Sequence, residues 1–268
     1  MIPHKSFDTI EKIISIMNNR EKGAYIRFGD GDLNIMFGQN DSYNVCNKFF
    51  TNEVRESICI DHDNYLKGVC LMCNKFGLLE DNMWPGNHEW DEKACIEHYN
   101  KIYTVRGKHL TDYYCVVVFN YLLTTYREKS YEYMYQIRSI CLKNDVIFIG
   151  NKNVKKDIIN LYFGNNYSFI ECPPRNSYST VNHIENSLTN KINQNSNYKI
   201  IIMCCGITTR CLIKRLWINN NINNNYFILD FGSIIDALSG IISRQNYIET
   251  KFDPDLYNNG FKQYVNNN

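Results

Sequence analysis

Short apolar runs alternate with longer amphipathic stretches from one end of the chain to the other. The runs at residues 24–28, 68–73, 113–119, 146–149, 167–171, 199–204 and 226–230 have strand length and are dense in β-branched and aromatic side chains. Helical periodicity fills much of the space between them, over residues 7–18, 91–103, 131–143, 153–163, 178–193 and 208–219. No internal repeat interrupts this order.

Strand and helix alternating in this way build βαβ units, and βαβ units build a parallel sheet with helices on both faces. The expectation is a doubly wound, Rossmann-like α/β fold with a predominantly parallel sheet. It forms one domain over residues 1–268, with an N-terminal helix segment at 1–22 and a C-terminal tail at 237–268. In such a sheet ligands sit beyond the carboxyl ends of the strands, where helix N-termini present free N–H groups. Five junctions then matter: residues 29–32, 150–152, 173–178, 206–209 and 230–233, each with Gly, polar or charged residues after an apolar run.

Composition narrows the partners. Lys and Arg total 29 against 28 Asp and Glu, so a net charge of +1 provides no broad field for a polyanion, and nucleic acid is not an expected partner. No stretch reaches the ~20 apolar residues of a membrane span, and no apolar leader follows Met1, which predicts a cytoplasmic protein. The 11 cysteines are an odd number embedded in apolar runs, as expected of core thiols in a reducing compartment, with no disulfide framework. Cys70 and Cys73 have the spacing of a metal knuckle, but no second pair follows, so they too are read as core and no structural zinc is expected. The polar run at 219–225 is a loop.

Chemistry concentrates at the first junction, Arg27-Phe28-Gly29-Asp30-Gly31-Asp32. Two carboxylates one glycine apart offer hard oxygen ligands to Mg²⁺ or Mn²⁺, while Gly29 and Gly31 let the backbone approach phosphates. The competing reading is that an aspartate caps the helix that follows, which needs one acid rather than two. Arg27 lies inside an apolar strand and must meet an anion, either a phosphate or a neighbouring carboxylate. Gly150, Asn151 and Lys152 could bring N–H groups and a point charge to phosphate, or Lys152 could be a solvated loop lysine. Asn176, Ser177 and Tyr178, after Pro173-Pro174, stand at a helix start where capping and ligand binding are compatible. Gly206, Thr208 and Thr209 repeat that combination. The loop from Trp84 to Asp91 holds two tryptophans, His88 and Glu89, the residue types an acceptor hydroxyl and a sugar ring need, although such a loop can equally be pinned by its tryptophans.

The run Arg27–Asp32 resembles the Arg-Phe-Gly-Asp-Gly-Glu signature of the GT-D type glycosyltransferases. Further blocks follow in the family's order between residues 24 and 236. Tyr103-Thr104-Val105-Arg106 is similar to its Thr-Arg segment, and 144–151 to its strand ending in a glycine loop. Pro173–Tyr178 is similar to its Pro-x-x-Asn turn, and Leu229-Asp230-Phe231-Gly232 to its closing Asp-x-Gly. The resemblance implies metal-dependent transfer from a nucleotide-diphosphate sugar, such as a UDP- or GDP-sugar, to a glycan or other hydroxyl acceptor. It implies that Asp30 and Asp32 serve as the catalytic acidic pair and hold Mn²⁺ or Mg²⁺. Asp32 departs from the family's Glu by one methylene, which shortens its reach. Two other functions compete. A haloacid-dehalogenase-like phosphatase would cast Asp30, Asp32, Lys152 and Asp230 in its roles, though Arg27 and the glycines suit it poorly; a non-catalytic nucleotide-sugar-binding protein would keep the site and lose turnover.

Overall fold

In a computed structural model that describes residues 2–71, 73–77, 91–242 and 245–268, the apolar runs assemble into one sheet. Its strands are β1 (Ile2–His4), β2 (Gly23–Phe28), β3 (Tyr65–Val69), β4 (Asp112–Cys115), β5 (Asp145–Gly150), β6 (Tyr167–Glu171), β7 (Lys199–Met203) and β8 (Tyr226–Asp230), in spatial order β1-β4-β3-β2-β8-β7-β5-β6. Every pairing is parallel. Helices cover both faces, so β3, β7 and β8 are buried at every position, and β7 and β8 read as near-continuous apolar runs rather than alternating ones.

The helices are α1 (Ser6–Asn18), α2 (Asp30–Met36), α3 (Lys48–Cys59), α4 (Glu92–Arg106), α5 (Val118–Thr125), α6 (Arg127–Leu142), α7 (Lys156–Phe163), α8 (Val181–Asn193), α9 (Thr208–Ile218), α10 (Ile234–Leu238), α11 (Gln245–Glu249) and α12 (Pro254–Asn267). One continuous hydrophobic cluster joins helices and sheet. Helix α1 comes so close to the sheet that a Cβ on Gly23 would lie 2.8 Å from Ile16 Cγ2 and from Phe227, so only glycine fits there. No helix among the described residues is long and apolar enough to cross a membrane.

Strand β1 and helices α2 and α3 add to the elements expected from the sequence, and three others differ from it. The run at 113–119 is not one strand: β4 ends at Cys115, the chain turns at Val116–Val117, and α5 begins. Because α5 is buried from Val118 to Leu123, it lacks the polar face by which a helix is recognised. Strand β3 starts at Tyr65, ahead of the expected residue 68, because Lys67 breaks the apolar run yet is 5% exposed and ion-paired. Residues 254–267 form a docked helix, with Tyr257 and Phe261 fully buried and Phe261 stacked on Tyr162 at 4.7 Å.

The topology positions the site. The chain lays down β2, β3 and β4 in one direction, then crosses the sheet to β5 and returns through β7 to β8, which lies beside β2. The carboxyl ends of β2, β8, β7 and β5 are thereby neighbours, and the loops that follow them converge.

Candidate functional site

A cleft of about 840 Å³ opens beyond those strand ends. Arg27, Gly29, Asp30, Gly31, Asp32, Asn151, Ser177 and Gly206 line it, which brings together four of the five junctions, and Gly232 and Ser233 add the fifth. Gly150, Lys152, Asn176, Tyr178, Thr208 and Thr209 stand behind or beside the wall rather than on it. His88 and Glu89 lie outside the described residues.

The two aspartates of the first junction do different things. Gly29 is the N-cap of α2, and its N–H donates to Asp32 Oδ2 at 2.8 Å, the carboxylate half of a capping box. Asp32 is 3% exposed and faces Arg210 of α9, whose Nη2 donates to Oδ2 at 3.1 Å while Nε lies 2.6 Å from Oδ1. The Nε–Oδ1 contact is close but off the hydrogen-bond axis, so it is an ion contact only. Burial pushes the Asp32 carboxyl up to about 6, with Arg210 and the Gly29 N–H pulling the other way. Asp30, at the first position of α2, is exposed on the cleft. Capping therefore occupies one acid and leaves the other to the cavity.

Arg210 also reaches Asp230, with Nη1 2.9 Å from Oδ2, and donates to the Gly206 carbonyl at 2.9 Å. Asp230, fully buried at the end of β8, accepts the Arg27 N–H at 3.0 Å, and its Oδ1 lies 3.6 Å from Arg27 Nε. Arg27 thus meets a carboxylate and still lines the cleft. Burial is the largest single influence and pulls its guanidinium down, but Asp230, Tyr25, Tyr247 and Asp32 together outweigh it and the group is raised. Arg27 Nε and Asp230 Oδ1 have no hydrogen bond among the described residues. Gly232, at φ +58°, makes room for this arrangement, since a Cβ there would sit 1.6 Å from Arg27 Nη2.

The opposite wall comes from residues 40–44. Asp41 Oδ1 accepts the N–H groups of Tyr43 and Asn44, each at 2.6 Å, which folds the loop on itself. Asn176, at φ +50°, pins this loop: its N–H donates to the Tyr43 carbonyl and its Oδ1 accepts the Val45 N–H, both at 2.9 Å. Ser177 Oγ donates to the Cys205 carbonyl at 3.0 Å and lies 2.7 Å from Thr208 Oγ1, which ties the 173–178 turn to the start of α9. Tyr178 is structural, stacked on Phe50 at 4.3 Å with its hydroxyl on Glu53. Lys152 is exposed.

Sequence reasoning missed Arg210, the 40–44 loop, Asn120 and Asp236, all of which line the cleft. Arg210 carried the same signal as Arg27, an arginine among buried residues of its element. The loop residues carried none, because their place depends on Asn176. Among the described residues no group of three or more His, Cys, Asp or Glu is arranged to hold a metal ion. The donor set suits a cation shared between one carboxylate, Asp30, and the oxygens of a ligand phosphate, the usual manner of Mg²⁺.

A parallel, doubly wound sheet with arginine, aspartate and glycine turns at its carboxyl edge defines an α/β protein whose candidate ligand cleft lies there. Residues 25–238 match the family model of the glycosyltransferase GT-D fold, and the chain belongs to that family of glycosyltransferases. It is 23% identical over 258 residues to a Streptococcus gordonii protein named "Probable glycosyl transferase Gly", covering 88% of this chain and 34% of that one. This chain thus spans about a third of that relative's length. Its fold is similar to a new glycosyltransferase (DUF1792) from Streptococcus sanguinis, with TM-score 0.64, 16% identity, and coverage of 90% of this chain and 84% of that one. It is similar also to a structure of the highly conserved domain of unknown function 1792, described as having a distinct glycosyltransferase fold, with TM-score 0.62, 15% identity and coverage of 94% and 82%.

Proposed function

We propose that this glycosyltransferase takes its sugar from a nucleotide-diphosphate sugar, of UDP or GDP type, and passes it to a hydroxyl of a glycan or other acceptor with Mn²⁺ or Mg²⁺ bound. The observation that carries the reading is the exposed carboxylate of Asp30 on the same cleft wall as the Arg27 guanidinium. A bound divalent cation supplies neutralisation of the charge that develops on the departing diphosphate. Asp30 would hold it, with Asp32 as the buried member of the acidic pair. Arg27 offers a planar, permanently charged partner to a phosphate oxygen, and Gly29 and Gly31 keep the backbone open to its approach. Asn151, Ser177 and Gly206 border the remainder of the donor's volume. His88 and Glu89 remain the proposed acceptor-side residues.

The phosphatase reading is less well supported. It needs Asp32 as a free acid/base, Lys152 at the phosphate and Asp230 as a cation ligand. Asp32 is engaged by Arg210, Lys152 is not on the cleft wall, and Asp230 is buried between two arginines. A thermal-shift screen of UDP-, GDP-, CMP- and dTDP-sugars with and without Mn²⁺ tests the proposal, because a ligand that binds the native state raises apparent stability. A Tm rise with one nucleotide-diphosphate sugar that depends on Mn²⁺, followed by nucleotide release, is the expected result. Phosphate release from a monoester, or no response to any nucleotide sugar, would overturn it.

A further inference from the structure

The acidic pair is asymmetric in a way that one residue enforces. Both oxygens of Asp32 are engaged: Oδ2 by the Gly29 N–H and Arg210 Nη2, and Oδ1 by Arg210 Nε at 2.6 Å. Arg210 is 5% exposed, and its other contacts are Asp230 Oδ2 and the Gly206 carbonyl, each at 2.9 Å. One guanidinium therefore fastens together the loop after β2, the end of β8 and the turn ahead of α9, three segments that wall the cleft. A planar fork can serve two carboxylates and a carbonyl at once, which an ammonium cannot do with the same geometry.

We propose that Arg210 is a positioning residue that keeps Asp32 out of the cation's coordination, so that Asp30 is the acid of the pair that faces the donor's cation while Asp32 fixes the Gly29 turn. The proposal rests on the donor-and-cation reading above. Asp32 carries a single methylene, so turning it to the cleft breaks its contacts to Gly29 and Arg210 together. That movement would leave Arg210, only 5% exposed, with a partly unpaired charge, a costly state for a buried guanidinium. Asp30 reaches the cleft with no such rearrangement.

The test measures Mn²⁺ binding by electron paramagnetic resonance of the free ion, with UDP and GDP present in turn, alongside donor hydrolysis. Asp30→Asn should weaken Mn²⁺ binding by more than about 100-fold, whereas Asp32→Asn should stay within the roughly tenfold loss of an outer-sphere partner. Arg210→Gln, which removes the charge that neutralises Asp32, should bind Mn²⁺ about threefold or more tightly while its turnover falls. A merely structural arginine would not move those two readouts in opposite directions. Circular dichroism establishes that each variant is folded; if Arg210→Gln is not, Arg210→Lys is expected to show the same opposed changes at smaller size. Equal loss of Mn²⁺ in Asp30→Asn and Asp32→Asn, or weaker Mn²⁺ binding in a folded Arg210 variant, overturns the proposal. Wild-type protein that binds no Mn²⁺ with either nucleotide instead overturns the donor-and-cation reading beneath it.

Discussion

Two ion clusters sit at opposite ends of this sheet. Near the amino ends of β3 and β4, Lys67, Arg106 and Lys108 converge on Asp61 at 2.7, 2.8 and 2.7 Å. Lys67 and Arg106 also bond the Ile58 carbonyl in the last turn of α3. At the carboxyl ends, Arg27 and Arg210 share Asp230, and Arg210 also holds Asp32. Both clusters bury arginine, and each leaves an arginine Nε without a hydrogen bond, so buried charge by itself does not separate them. The surroundings do. The first cluster closes on a helix end beside a hollow of about 200 Å³, whereas the second opens on about 840 Å³ next to the exposed Asp30. What singles out the candidate site is buried charge that borders the larger cavity and the exposed Asp30.

The largest test of that contrast is Asp30→Asn. It should lower transfer on the order of 100-fold, the scale of losing one charge-stabilising group, with Tm nearly unchanged because the side chain is exposed. Nucleotide release and a melting curve on one preparation measure both. Gly232→Ala comes next: its methyl would collide with Arg27 at a positive-φ position, costing about 2 kcal/mol in urea unfolding and weakening donor binding together. Asp61→Asn should cost only about 1 kcal/mol, since Asp61 is 40% exposed and its pairs are screened, and should leave donor hydrolysis at the wild-type rate. A loss of hydrolysis in Asp61→Asn would erase the distinction between the clusters.

The smallest effect is a pH signature of opposite sign in the two places. Asp32 is raised to about 6 in the fold, so between roughly pH 4 and that value the native chain binds more protons than the unfolded one. Its contribution is fully present below about pH 4 and is lost as pH rises through about 6. Burial lowers Lys67 to about 8, with Asp61 opposing, so from there to roughly pH 10 the unfolded chain binds more protons and stability rises with pH. Urea midpoints across the two ranges, for wild type against Asp32→Asn and Lys67→Met, should show each variant flattening its own slope and leaving the other.

Much of the fold was legible because both faces of the sheet are covered. Strands β2, β5, β7 and β8 fall within a residue or so of the apolar runs, as buried parallel strands should, and so does β6, although at the sheet edge it buries only Ile170. Residues 113–119 were misread for the same reason: a helix buried on all sides looks like a strand when only apolarity is visible. At the site, the junctions were legible because strand ends and glycines are local signals. The inward turn of Asp32 was not, since it depends on where α9 places Arg210, 178 residues away in sequence. Tyr178 was hard to place for another reason, as an aromatic at a helix start that packs on Phe50 rather than lining the cleft.

The family model's match ends at residue 238, yet the folded unit continues. Asn120, on the cleft wall, donates to the hydroxyl of Tyr247 in α11, and α12 seals Tyr162 with Phe261. Detaching the C-terminal helices would free the Asn120 amide from its anchor. If the proposed donor fills the cleft against Asn120, linkage predicts that it resists that detachment, so proteolysis of residues 245–267, past the family model's match, should slow when the donor is present.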